Sequence, residues 1–407
     1  MRPNHSFFSF FHPFNLSFHF LHSFILFISV FLLHSGCKPS SQQEIKSSAK
    51  EVTLPYIIDI EKNIDNVKEL PVSLIAKNLE YIPLETKKNC LLRKVSKLVF
   101  TDSFIFVSDF NKLLQFNRKG KFIRQIGKNG KGPGEYVYVM SFDIDYYSNQ
   151  VYIMDYSPRI EVFDFSGNYI RQFDRSKIIS YQFLGFDKDK LIFHFANMPK
   201  HYDPTEVSLM ITDTKGNPLK EFKNYKKRKS KPGIMVSESP LYSYNNKFYF
   251  MEFLNDTLFS VEEDKLKPYA IIKLGNWKMD PDPTCKDKKE IKELESKLWI
   301  TRIIENEKFL FINMEFGFND SLKFCAFNKR KGELTVLRNS SLQNDIDGGF
   351  SFLPKYIYND NIFVDYMDAS VFLEKITSTG EISNPELSQL TSQIKEDDNP
   401  ILIIAKP

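Results

Sequence analysis

Of the seven histidines in this 407-residue chain, five (5, 12, 19, 22 and 34) fall within the first 36 residues, leaving His194 and His201 to serve the rest. A Ser-His-acid relay needs an imidazole held against a hydroxyl, so any such site here must use one of these two. His194 lies inside the apolar run Leu191-Ile-Phe-His-Phe195 and reads as a packed strand residue. His201, near Asp203 and Glu206, reads as a solvated loop residue. Asp109 and Asp155 close two similar segments, Phe104-Ile-Phe-Val-Ser-Asp109 and Val151-Tyr-Ile-Met-Asp155. Equivalent places in a repeat favour side-chain capping of turns over catalysis. Asn255-Asp256 and Asn319-Asp320 read as the same device. Apart from Cys37, the cysteines are Cys90, Cys285 and Cys325, an odd number without metal-like spacing, expected as buried thiols. The loop Gly127-Lys-Asn-Gly-Lys-Gly-Pro-Gly-Glu-Tyr136 offers backbone N–H groups to an anion, but it lacks the Gly-Lys-Ser/Thr ending and precedes a strand. Its expected task is to carry the chain between elements in conformations that only glycine allows.

The elements that must position these residues repeat. Phe104–Asp109, Leu113–Gly120 and Lys121–Ile126 return as Val151–Asp155, Ile160–Gly167 and Asn168–Phe173. The turn glycine steps from 120 to 167 and then to 216, intervals of 47 and 49. Short strands at that period are the signature of propeller blades. Alternating apolar residues between Gly, Asn, Asp and Ser turns place blades at 92–126, 137–173, 179–223, 239–274 and 300–338. For the sixth, 361–366 is a second strand, 401–405 the third and 79–84 the fourth, so the two ends of the chain pair and close the ring. The fold class is therefore an all-β six-bladed propeller over 52–407, with short helical insertions on one face. Lys286–Leu298 and Glu386–Asp398 are the helical candidates.

The first 36 residues are a different material, with Arg2 their one basic residue, no acid, and the apolar run Phe24–Leu33. The run is too short to span a bilayer and suits a signal peptide. Ser35-Gly36-Cys37 resembles the lipobox of bacterial lipoproteins, with His34 where an apolar residue is usual. That makes 1–36 a signal peptide, Cys37 a lipidation site and 37–51 a flexible tether. Without Arg2 the chain has 54 basic and 51 acidic residues, too balanced to argue for nucleic acid.

Three segments carry a family resemblance: the glycine-rich 127–136, Leu79-Glu-Tyr-Ile-Pro-Leu-Glu-Thr86, and Asp397-Asp-Asn-Pro-Ile-Leu-Ile403. They look like the six-bladed β-propeller lipoproteins of anaerobic gut bacteria, distantly similar to NHL-repeat propellers. The resemblance covers nearly all of 52–407 and implies the fold and an extracytoplasmic location in the cell envelope.

In such a blade the A–B and C–D turns share one face, and the B–C and D–A connections share the other. Long insertions at 197–206, 276–298 and 370–398 all go to the second, or loop, face, which marks it as the functional one. The expected binding residues there are Asp109, Asn111, Glu135, Tyr136, Asp155, Arg159 and His201, with Glu135 and Tyr136 aimed at the channel mouth. The basic run Lys226–Lys231 reads as a solvated loop. The expected function is a membrane-anchored binding module for a glycan, peptide or partner protein. The competing reading is a calcium-assisted hydrolase or lyase working in the channel, which needs carboxylate and amide oxygens converging from several blades on one ion.

Overall fold

The computed structural model describes residues 53–407 apart from 198–204, 225–238, 254, 281–287, 318–320 and 380–383. The expectations for 1–36, Cys37, the tether, His201, Cys285, Asn319-Asp320 and Lys226–Lys231 lie outside the described residues.

The described chain begins with β1 (Tyr56–Asp59), the short helix α1 (Ile60–Asn63), β2 (Val67–Lys68) and β3 (Asn78–Pro83). Blade I follows as β4 (Lys97–Phe100), β5 (Phe104–Ser108), β6 (Leu113–Asn117) and β7 (Phe122–Ile126). The glycine-rich loop pairs β8 (Lys128–Asn129) with β9 (Glu135–Tyr136) before blade II, β10 (Val139–Asp145) to β13 (Tyr169–Asp174), with β11 (Gln150–Asp155) and β12 (Arg159–Asp164) between. Blade III is β14 (Gln182–Gly185), β15 (Lys190–His194), β16 (Val207–Asp213) and β17 (Pro218–Lys223). Blade IV is β18 (Leu241–Tyr244), β19 (Lys247–Met251), β20 (Thr257–Val261) and β21 (Leu266–Lys273). After α2 (Lys288–Glu295) comes blade V, β22 (Leu298–Glu305), β23 (Phe309–Phe316), β24 (Ser321–Asn328) and β25 (Glu333–Leu337). Blade VI starts with β26 (Tyr356–Tyr358) and β27 (Ile362–Met367), detours through α3 (Ala369–Thr379) and α4 (Pro385–Thr391), and receives β28 (Ile401–Lys406).

Each blade has four antiparallel strands side by side, and the innermost lines the axis. The two middle strands are buried on both faces between neighbouring blades, so they read as near-continuous apolar runs. β11 and β12 are almost wholly buried, while the outer β13 alternates toward solvent. Phe106, Phe116, Phe163, Phe193, Phe250 and Phe311 are among the largest fully buried side chains. Each such burial contributes roughly 1.5–3 kcal/mol, which is where the aromatic abundance goes.

The turn glycines are explained locally. Asn117, Asp164 and Asp213 each accept the backbone N–H four residues on, with Gly120, Gly167 and Gly216 at φ +76°, +80° and +85° closing the loop. A side-chain acceptor at the first position and a left-handed residue at the fourth thus recur at the 47- and 49-residue steps.

Blade VI closes as its sequence implies. β28 lies between β27 and β3, with Ile401 opposite Pro83 and Lys406 opposite Asn78. Pro83 sits at the strand end, where its missing donor costs nothing. Unforeseen is what precedes β3. β1 adds a parallel fifth strand outside β21 of blade IV, and β2 does the same outside β25 of blade V. Residues 56–83 thus lace the outer rims of blades IV, V and VI in succession. Tyr56 anchors the lacing, its ring edge-on to Tyr269 at 5.4 Å and Phe327 at 5.6 Å.

Both helical expectations hold, α2 within 286–298 and α4 within 386–398 to one residue. Asn384 caps α4 by accepting the N–H groups of Glu386 and Leu387.

Candidate functional site

The loop face is built from carboxylates that hold backbone. Asp109 accepts the N–H groups of Asn111 (3.0 Å) and Lys112 (3.0 Å) with one oxygen and that of Arg93 (3.3 Å) with the other. Asp155, fully buried, accepts Val137 N–H (2.9 Å), Tyr138 N–H (3.1 Å), Tyr156 N–H (2.7 Å) and Ser157 Oγ (2.5 Å). Asp365 in blade VI repeats the device on Leu353 (2.9 Å) and Tyr366 (2.7 Å). An acid near the end of the second strand thus ties down the connection that enters the same blade, satisfying donors that a buried loop would otherwise leave unpaired. Capping is the role of both Asp109 and Asp155.

The other described loop-face candidates are likewise engaged. Arg159 reaches Asp155 (3.5 Å), Glu161 (3.6 Å) and the Lys131 carbonyl (3.1 Å), pinning the glycine-rich loop to blade II. Burial raises the Glu161 carboxyl above its ordinary value against the pull of the Gly134 N–H and Arg159. Glu135 folds back on its own loop, accepting Gly132 N–H (2.9 Å) and Lys131 N–H (3.0 Å) and pairing with Lys128 at 3.2 Å. The Gly132 N–H and Lys128 hold its carboxyl below the usual range. A Cβ on Gly130 would fall 2.0 Å from the Glu135 carboxylate, so this fold-back requires glycine. Tyr136 is fully buried between blades I and II rather than at a channel mouth. Its hydroxyl donates to the Ile126 carbonyl (2.9 Å) and accepts from Leu113 N–H (3.2 Å) and Gln125 (3.3 Å). Burial pushes that hydroxyl up to about 12. Asn111 accepts a hydrogen bond from Asn129 through its carbonyl.

The insertions roof the blades. Phe372 of α3 and Leu387 of α4 are fully buried in the core shared by blades V and VI. Leu294 of α2 packs with Met279, Phe253 and Trp299. His194 is a packed strand residue, with Nε2 3.5 Å from Glu252, and Ser208 Oγ bonds Glu252 instead of the imidazole. No Ser-His relay forms there. Cys90 and Cys325 are buried free thiols.

The open space lies on the axis. A channel of about 1030 Å³ is walled by the first strands of all six blades. Toward the loop face its wall carries Ser96, Ser141, Gln182, Ser239, Thr301 and Lys355, one from each blade. At its other end the wall includes the A–B turns, with Tyr146, Tyr147, Asn246, Asn359 and Asp360. The channel therefore extends to the turn face, and none of the described loop-face candidates lines it. Among the described residues no group of three or more His, Cys, Asp or Glu is placed to hold a metal ion.

Sequence reasoning passed over the mouth residues, yet a signal for them exists. Tyr147-Ser-Asn149, Tyr244-Asn-Asn246 and Tyr358-Asn-Asp360 put a tyrosine at each of three tight turns. Asn149, Asn245, Asn246, Asn359 and Asp360 all have positive φ, the left-handed conformation of hairpin turns that Asn and Asp tolerate.

Among solved structures, a candidate exported protein of Bacteroides fragilis is 18% identical and superposes with a TM-score of 0.69, covering 86% of this chain and 99% of that one. A member of the DUF4221 family from Bacteroides vulgatus is 12% identical at a TM-score of 0.49, covering 81% and 96%. The first shows the same fold. No curated protein matches the chain. Residues 55–406, nearly the whole described chain, match the model of one family, and the chain belongs to it: Domain of unknown function (DUF4934).

Proposed function

We propose that this protein is an extracytoplasmic binding module, held at the cell envelope through a lipid on Cys37, that takes its ligand into the axial channel from the turn face. The observation that carries this reading is the channel itself. It offers about 1030 Å³ of space walled by side chains from all six blades, at the upper end of the volumes small-molecule sites use. The loop face, by contrast, is occupied by its own capping network. The apolar run before Ser35-Gly36-Cys37 supports export and lipidation, as does the fold likeness to a candidate exported protein. No helix among the described residues is long and apolar enough to cross a membrane.

Fractionation of cells carrying the wild type and Cys37→Ser tests the anchor. The wild type is expected in the membrane fraction and the variant in the soluble extracytoplasmic fraction. A photo-crosslinking residue placed at Tyr147 or at Tyr156 tests the face. Adducts at position 147 and none at 156 are expected, and the reverse pattern moves the site back to the loop face.

A further inference from the structure

We infer that the channel binds an uncharged oligosaccharide, stacked on the mouth tyrosines and hydrogen-bonded at the inner polar ring. This rests on the channel reading above and names its ligand class.

Charge comes first. Five cationic and six anionic side chains line the channel, so its formal charge is close to balance, and several of them are paired with a neighbour. Lys97 lies 3.5 Å from Asp143, Lys355 lies 2.8 Å from Asp365, and Lys190 pairs with Glu263. Asp145 caps its own turn through the N–H groups of Tyr147 and Ser148. Asp360 accepts the N–H of Asn245. A site for an anion or a cation leaves an excess of the opposite sign facing its ligand, since a desolvated charge must be matched. This wall is within one charge of balance, and its Arg302 donates to the Lys355 carbonyl at 3.0 Å and lies over the Tyr356 ring.

What the wall leaves open is neutral. Ser239 is 3% exposed, and its Oγ has no hydrogen-bond partner among the described residues although it lines the channel. A buried hydroxyl without a partner is costly unless something completes it. Its N–H already meets Gln182 Oε1 at 3.4 Å, so the amide and the hydroxyl present adjacent polar groups to one ligand. Ser141 and Thr301 stand in the same ring. At the mouth, Tyr147 is 68% exposed, a ring offered to solvent where core packing claims most others. Flat aromatic faces at the rim and small hydroxyl and amide groups within fit a sugar, whose C–H faces are apolar and whose rim is all hydroxyl. Sugar hydroxyls donate and accept without bringing charge.

The experiment titrates the full chain with cellohexaose, maltohexaose, xylohexaose and mannohexaose by calorimetry, with hexagalacturonate and hexaglycine as charged-sugar and peptide probes. Two variants accompany it. Tyr147→Ala removes the exposed ring, and Ser243→Trp plugs the channel from a position exposed within it. The expected result is saturable binding of at least one neutral hexasaccharide, about tenfold weaker with Tyr147→Ala and absent with Ser243→Trp. Both variants should keep the wild-type Tm. Silence of all four neutral sugars to 10 mM overturns the ligand class, as does preference for hexagalacturonate or hexaglycine. If one of those two binds and Ser243→Trp abolishes it, the channel reading survives without the sugar. Binding of any probe that Ser243→Trp leaves intact sinks the channel reading itself.

Discussion

At the loop face, Asp155 accepts four hydrogen bonds and its carboxylate is wholly enclosed. At the other end of the axis, Tyr147 stands 68% exposed, and within the channel Ser239 Oγ has no partner among the described residues. The two regions draw on the same residue types, acids, hydroxyls and tyrosines, yet the loop-face carboxylates are spent on their own backbone, while the channel keeps a buried hydroxyl without a partner among the described residues. Insertion length marks where the chain is elaborated, and here the elaboration roofs apolar core with Phe372, Leu387 and Leu294. Binding depends on polar and aromatic groups left over after folding, and that is a separate quantity.

Three substitutions break or sharpen the contrast. Asp155→Ala strands several buried N–H donors and leaves Arg159 short of one carboxylate, so it should lower unfolding free energy by about 3 kcal/mol or more. Denaturant titration measures it. A loss below about 0.5 kcal/mol would mean the acid is free for a ligand after all. Tyr136→Phe removes a hydroxyl shared by Ile126, Leu113 and Gln125 and should cost about 1–2 kcal/mol. An unchanged midpoint with weakened ligand binding would restore Tyr136 to the site.

The smallest effect runs the other way. Phe110 has φ +69° and is 48% exposed, a conformation L side chains adopt under strain, held by the Asp109 cap beside it. Phe110→Gly should raise stability by about 0.5–1 kcal/mol. A fall in Tm would show that the ring makes contacts outweighing the strain. It would then join Tyr138 and Tyr156, whose exposed rings meet edge-on at 6.4 Å, as a second surface of interest.

Much of the fold was legible because middle strands must be apolar on both faces. Val151–Asp155 and Phe309–Met314 announce themselves without any partner in view. Closure was legible for a related reason, since Ile401–Ala405 is an apolar strand with no neighbour in sequence to pair with. The rim lacing was not. β1 and β2 are short parallel additions of four and two residues, and so brief a stretch carries no periodicity that separates a fifth strand from a linker. The channel was hidden for a third reason. Inner strands such as β18 and β14 mix polar and apolar residues, so their inward faces look like weak strands instead of a wall. Asp109 and Asp155 cap turns as their repeat positions imply, yet neither lines the channel, whereas Tyr136 reads like a surface tyrosine until its three hydroxyl partners are seen.

The position of β28 in the middle of its sheet, between β27 and β3, has a consequence for biogenesis. Blade VI lacks its central strand until residue 406 has been made, so β3 waits with an unpaired apolar edge throughout synthesis. A premature stop a few codons early would remove not a fringe but the keystone.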